Sequence, residues 1–346
     1  MGVKHLNNYF TTHCSSSAIK KTDFESCRGK TIVVDTSIYL YKFLEKDAFM
    51  EQLYLFLALF THYKIQPIFI FDGKSPPEKL TTIQKRYTEK KQAESRYDEI
   101  QIQLLAYQTN SKEYADACKE LENLRKKMVR LKYEHVQQAK SLINAFGFTH
   151  YDAPGESDQL CAYFVKSGVA WACLSEDMDM FLLDCPRVLR NISLMNHTWT
   201  LYNTQHILKD LNISLRDLTE MVILCGSDYN YNKHDIKMPT IKKIFDIYYN
   251  EYQPHIEEIK NIEQIEKIEQ IQQTTTTFYE WYTKIKENQE IMPTEKMEHI
   301  MALFDIYIIA NILQPFCDSF CKLADNKMNM KNVQTIMEKY GFIFVL

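Results

Sequence analysis

Two carboxylate pairs stand within one short stretch, Ala153 to Asp184. Glu156 and Asp158 form one i, i+2 pair, and Asp177 and Asp179 form another. Four acids at one rim repel each other unless positive charge sits among them. A pair of hard divalent cations with oxygen ligands, such as Mg²⁺, is the simplest way to supply it. Each pair alone also fits a structural part. Ser157 suits a helix N-cap, with Glu156 and Asp158 complementing the helix dipole. Asp177 and Asp179 suit a turn on a solvated edge.

The elements around these acids carry the chemical reading further. Between the pairs, Gln159 to Val165 reads as a helix, Gly168 as a turn, and Val169 to Leu174 as an apolar strand. A strand apolar throughout belongs inside a sheet, and ligands sit at its carboxyl end, where Glu176, Asp177 and Asp179 fall. Upstream, Thr31 to Ser37 is a strand carrying Asp35 near its end. A helix follows to about Tyr63, and Gln66 to Asp72 is a second apolar strand ending in an acid. Two such strands joined by a helix make a βαβ unit, so Asp35 and Asp72 share one rim. One strand-end Asp is an ordinary turn residue, but three strand ends with acids are harder to assign to turns.

Lys74 to Lys140 reads as a polar helical insert, with 15 Lys/Arg against 10 Asp/Glu in a chain of net charge −4. It fits either a solvated charged hairpin or a cationic arch holding a phosphate backbone over the acids. Residues 1–30 read as a short helix and a polar loop. Arg187–Ser193 and Thr198–Tyr202 read as strands. Thr204–Leu224 reads as a helix leading to Asp228, and residues 237–247 as a turn and a short basic helix. Isoleucine recurs at every third position from Ile256 to Ile271. That spacing drifts by about 60° per step on an α-helix and makes no stable stripe. The segment reads as a low-complexity insertion, partly disordered. Residues 293–346 read as amphipathic helices.

The 346 residues are 45% hydrophobic, enough for a substantial core. Nine scattered cysteines without a C-x-x-C pattern suggest a reducing, intracellular setting. No apolar run approaches the roughly 20 residues of a membrane span, and no signal peptide is expected.

Six ordered blocks bring a family into view: MGVKHL, VVDTSIYLYKF, FIFDGKSPPEKLTTIQKR, APGESDQLCA, SEDMD and ILCGSDY. Over about residues 1–245 the chain resembles the flap endonuclease/XPG family of structure-specific 5′ nucleases. The resemblance implies a Rossmann-like (PIN-like) α/β nuclease domain with a mainly parallel sheet. To this it adds a helical arch insertion and a C-terminal helical, helix–hairpin–helix-like region. The expected division is residues 1–73 and 146–252 for the core, 74–145 for the arch, 253–292 for the insertion and 293–346 for the final helices.

The resemblance also implies a two-metal site. Asp35, Asp72 and Glu156 would favour one Mg²⁺, Asp177, Asp179 and Asp228 the other, with Asp158 between them and Mn²⁺ able to substitute. Lys79 and Arg86, seven apart on the arch's first helix, would steer the scissile phosphate. Tyr41 would stack on the terminal unpaired base, and Gly2 would lie near the site. Two departures stand out: Asp158 replaces the family's Glu, and Ile236 and Met238 replace hairpin glycines, leaving Pro239. Gly at such positions allows close phosphate approach.

The expected function is divalent-metal-dependent cleavage of DNA at 5′ flaps or ss/ds junctions, in replication and repair. The alternatives are a 5′ exonuclease, a junction resolvase, an RNA-cutting relative, or a non-catalytic DNA-binding relative. A monomer acting in the nucleus or in a viral or cellular DNA replication compartment is expected. Gln272–Tyr279 is a weak candidate for a sliding-clamp motif.

Overall fold

In a computed structural model of the protein, the described residues are 5–227, 229, 237–260, 277–285, 294–305, 310, 313 and 327–344. Seven strands form one sheet: β1 (Ile19–Asp23), β2 (Thr31–Asp35), β3 (Gln66–Phe71), β4 (Thr149–Asp152), β5 (Ala172–Leu174), β6 (Arg187–Ser193) and β7 (Thr198–Asn203). Their order is β1-β7-β6-β5-β2-β3-β4. The run from β6 through β5, β2 and β3 to β4 is parallel, and β7 adds antiparallel to β6, with β1 antiparallel beyond it. The mainly parallel α/β fold expected from the sequence is therefore present. Strand order reverses at β2, which has β3 on one side and β5 on the other, so a crevice opens at their carboxyl ends.

Side chains alternate between the two faces of these strands. Val33, Ile68 and Cys173 stand in register and bury against α7 (Ser157–Lys166) and α8 (Asp179–Leu182). Ile32, Val34, Phe69 and Phe71 face the other way, toward α2 (Thr36–Leu44), α3 (Phe49–His62) and α6 (Tyr133–Ala145). Both faces are covered, which is why β2 and β3 read as continuous apolar runs.

Several local expectations are corrected. The N-terminal polar loop contains β1 as well as α1 (Leu6–His13). Its IKKTD sequence has no fully buried residue, as suits an edge strand. The helix expected to run to Tyr63 is two helices. Asp47, in the left-handed region at φ 53°, breaks them within the polar Glu45-Lys46-Asp47 run. β5 is shorter than expected, because Ala170 N–H donates to Phe164 O of α7 and not to the sheet. Residues 204–225 are also two helices, α9 (Thr204–Leu211) and α10 (Leu215–Cys225). Asn212 (φ 50°) ends the first, and a Ser214/Asp217 capping box starts the second.

The insert begins with α4 (Leu80–Leu104) and α5 (Lys112–Met128), an antiparallel hairpin with a small core of its own at Ala93, Ile100, Ala117 and Leu124. α6, which follows, buries Ala139, Leu142 and Ile143 against α3 and the sheet, so its packing joins it to the main core. Further on, α11 (Met238–Lys260) is far longer than the short basic helix expected, and it runs into the start of the isoleucine repeat. α12 (Phe278–Ile285), α13 (Thr294–Leu303) and α14 (Met330–Glu338) complete the described helices. Residues 261–276 lie outside the described residues, as does hairpin position Ile236. Phe278 and Tyr279, the aromatic pair of the weak clamp motif, are buried in the core against α10 and α11. They are not presented to a partner. Among the described residues no helix is long and apolar enough to cross a membrane.

Candidate metal centre and active site

The carboxyl ends of β2, β3 and β5 and the first turns of α7 and α8 carry the acids. Asp35 ends β2 at the N-cap position of α2, yet its side chain caps nothing. Its Oδ1 accepts from the Ser157 hydroxyl at 2.7 Å and its Oδ2 from the Ser175 hydroxyl at 2.8 Å. Asp72 follows β3, and its Oδ1 accepts the Ser157 N–H at 3.0 Å and lies 2.7 Å from the same hydroxyl. That hydroxyl has one proton for two carboxylates, so it can donate to only one of them at a time. Burial, and then the Asp72 charge, push Asp35 well above the ordinary carboxylate range.

α7 begins at the same place. Glu156 stands at its N-cap, again without a capping bond, and Ser157 is turned to Asp35 and Asp72. The capping reading of Ser157 is therefore not what this turn does. Asp158 is buried, and its Oδ1 accepts the Gln159 N–H at 2.7 Å. Burial pushes it up to about 7, against the pull of Lys79. Beyond β5, Asp177 accepts the Asp179 N–H at 3.1 Å and its own N–H donates to Ser175 Oγ at 3.1 Å. Asp179 opens α8 and is fully buried.

Lys79 enters this group of acids. It ion-pairs with Glu156, and its Nζ lies 4.6 Å from the Tyr229 ring centre. Tyr229 O–H donates to the same Glu156 carboxylate at 3.0 Å. Burial lowers the lysine's pKa, but the Asp158 and Glu156 charges outweigh it and hold the ammonium above its ordinary value. Lys79 is not on the hairpin helix as expected from its spacing. It closes a 3₁₀ turn, Pro77–Lys79, just before α4.

Arg86 lies seven residues on, about two helical turns, within α4. With Tyr41, Lys42, Lys90, Lys126 and Lys127, and against two acids, Glu45 and Glu89, it lines a cavity of about 970 Å³ between α2 and the hairpin. Lys90 Nζ lies 5.2 Å over the Tyr41 ring, and burial, then Arg130 and Arg86, pull its pKa below the ordinary lysine value. Crowded cations over a half-buried aromatic favour an anionic chain with stackable rings. Gly2 and Asp228 lie outside the described residues.

The donor set fits hard divalent cations, since every candidate ligand is a carboxylate and three of them are buried. Among the described residues no three of these acids are drawn together as one ion would draw them. The Lys79 ammonium is the positive charge beside Glu156. Sequence reading missed four contributors: Ser157 as a bridge, Ser175, Tyr229 and Gly73. All lie inside the quoted blocks, but no spacing rule tells which way a hydroxyl turns. Gly73 N–H donates to Gly155 O at 2.7 Å, and a Cβ there would lie 2.0 Å from Ala153 O.

Residues 1–93 match the XPG N-terminal domain and residues 147–228 the XPG I-region, together just over half the chain. Flap endonuclease 1 of Methanococcus aeolicus is 30% identical over 237 residues, 61% of this chain and 66% of that protein. The chain spans 61–66% of the length of the curated relatives it matches first. The structure of the catalytic core of Rad2 in complex with DNA substrate aligns over 99% of this chain and 96% of that one, with a TM-score of 0.62 and 20% identity. The Holliday junction-resolving enzyme GEN1, in complex with product DNA, Mg²⁺ and Mn²⁺ ions, aligns over 98% of this chain and 72% of its own, with a TM-score of 0.58 and 14% identity. At these identities the two structures share the fold.

Proposed function

The chain belongs to the flap endonuclease/XPG family, and from that premise we propose that it is a divalent-metal-dependent, structure-specific 5′ nuclease. It hydrolyses DNA phosphodiesters at 5′ flaps or ss/ds junctions, in replication and repair, within the cell compartment that holds its DNA. The observation that carries this reading is the convergence of Asp35, Asp72, Glu156, Asp158, Asp177 and Asp179 on one rim, with Lys79 among them and a basic cleft alongside.

Two Mg²⁺ or Mn²⁺ ions held by these carboxylates and Asp228 would activate water and stabilise charge on the scissile phosphate and the leaving oxygen. The chain's own groups do the rest. Ser157 and Ser175 hold Asp35 in one orientation, so its oxygens need not reorganise when substrate arrives. Lys79, kept charged by its neighbours, exchanges Glu156 for a phosphate oxygen and draws the backbone onto the acids. Arg86 and Lys90 take the single strand's phosphates in the cleft, and Tyr41 offers its ring to an unpaired base.

A cleft closed on one side by the α4–α5 hairpin suits a single strand better than a duplex, which favours flaps over four-way junctions. Cleavage of end-labelled double-flap, nicked, four-way-junction and single-stranded RNA substrates, with and without Mg²⁺, tests the reading. Mg²⁺-dependent cutting at the flap base is expected. Cutting of the junction or RNA instead would move the specificity. Flap binding without any cutting would make the chain a binding-only relative.

A further inference from the structure

We propose that Arg190 is the positioning residue for the Asp177/Asp179 half of the acid cluster, acting through the loop that joins β5 to α8. This rests on the nuclease reading only in taking those two acids as metal ligands. Arg190 lies on β6 and is 6% exposed. A buried guanidinium is costly unless its donors are matched, and here Nη1 and Nη2 are spent on the β5–α8 loop and on Asn7, while Nε makes no hydrogen bond and has only the Glu176 charge near it. Nη2–H donates to the Glu176 carbonyl at 2.8 Å. Nη1 lies 2.6 Å from Met178 Sδ and donates to Asn7 Oδ1 at 2.7 Å. Nε stands 3.9 Å from Glu176 Oε2. Glu176 and Met178 alternate with Asp177 and Asp179 along the chain. A fork gripping the first pair therefore sets the direction of the second.

The Glu176 side chain is itself engaged by β6 and α2. Its Oε1 accepts the Asn191 N–H at 3.0 Å and pairs with Lys42 Nζ at 2.9 Å. The first acid of the SEDMD block is thus a buckle between β6 and α2. Asn7 is pinned in turn by Tyr202 O–H at 2.8 Å, so the fork also ties the loop to α1. Residues that orient metal ligands without touching the metal typically change affinity by about 10–100-fold when removed.

The test is Mn²⁺ titration by calorimetry on the full chain, wild type against Arg190→Met, Arg190→Lys and Glu176→Gln, with thermal unfolding alongside. Arg190→Met is expected to weaken one of two binding steps by about 10–100-fold and to leave the other unchanged. Arg190→Lys keeps the charge but loses the fork, and is expected to weaken the same step. Glu176→Gln keeps the carbonyl bond and stays close to wild type. In flap cleavage, kcat falls for both Arg190 variants, KM for DNA does not, and raised Mn²⁺ restores part of kcat. If Arg190→Met unfolds, Asn7→Ala removes the far anchor of the fork and is expected to shift the same step in the same direction. Variants whose titrations superimpose on wild type, or lose both steps equally, would overturn the assignment. A wild type that binds two ions but cuts no DNA would sink the nuclease reading and leave the assignment standing. A wild type that binds no metal would overturn both.

Discussion

Replacing Gly73 by Ala is expected to disable cleavage while leaving most of the fold in place. The new Cβ would lie 2.0 Å from Ala153 O and 3.0 Å from Gly155 O. Both are backbone atoms, so no side chain can swing aside. Real Cβ contacts stop near 3.0 Å, so the end of β3 and the loop before α7 must part by about 1 Å. That movement breaks the Gly73 N–H to Gly155 O bond of 2.7 Å and separates Asp72 from Glu156 and from the Ser157 bridge. Overpacking of this kind costs about 1–3 kcal/mol, and the lost hydrogen bond adds about 1 kcal/mol. For the chemistry, a misplacement near 1 Å is worth about 10²-fold. Single-turnover flap cleavage measures the first-order rate, and circular dichroism follows unfolding. A variant with wild-type cleavage and wild-type melting would refute the reasoning, because it would show the two segments are not in contact.

Other outcomes follow from the same geometry. Asp177→Asn should abolish cleavage with the circular dichroism spectrum intact; residual full-rate cleavage would remove it from the metal ligands. Lys79→Ala should lower kcat with KM little changed, whereas Arg86→Ala, out in the cleft, should raise KM for flap DNA; steady-state kinetics separates the two. Asp158 is pushed up to about 7 and Asp35 in the same direction, so the folded, metal-free protein binds more protons than the unfolded chain. Their contribution to the stability of the chelator-treated protein is therefore fully present below the ordinary carboxylate value and is lost as pH rises through about 7. Thermal melts at pH 5 and pH 8 check the slope, and a higher melting temperature at pH 8 would contradict it.

Much was legible in the sequence because it depends on short-range pattern. β2 and β3 are apolar on both faces, which only a sheet covered on both sides requires, and their terminal acids then share a rim by parallel pairing alone. The six motif blocks carried the family. Sequence pattern failed where local preference and tertiary packing disagree. The polar β1 forms because the free edge of β7 completes it. Phe278 and Tyr279 look like a surface motif but are drawn into the core beside α10 and α11. The resemblance placed Lys79 and Arg86 together on the arch's first helix, yet the Pro76-Pro77 turn puts Lys79 among the acids and leaves Arg86 in the cleft. The direction of a side chain is the last thing a sequence specifies. Glu176, Asp177 and Asp179 are the same chemistry in one block, and only the folded chain turns Glu176 back to Arg190 and Lys42 and leaves the other two at the rim. The sequence by itself determined that acids stand where β2, β3 and β5 end and where α7 and α8 begin. The tertiary structure decided what holds them, the Ser157 and Ser175 hydroxyls on Asp35 and Lys79 on Glu156, because those partners come from strands and helices far apart in the chain.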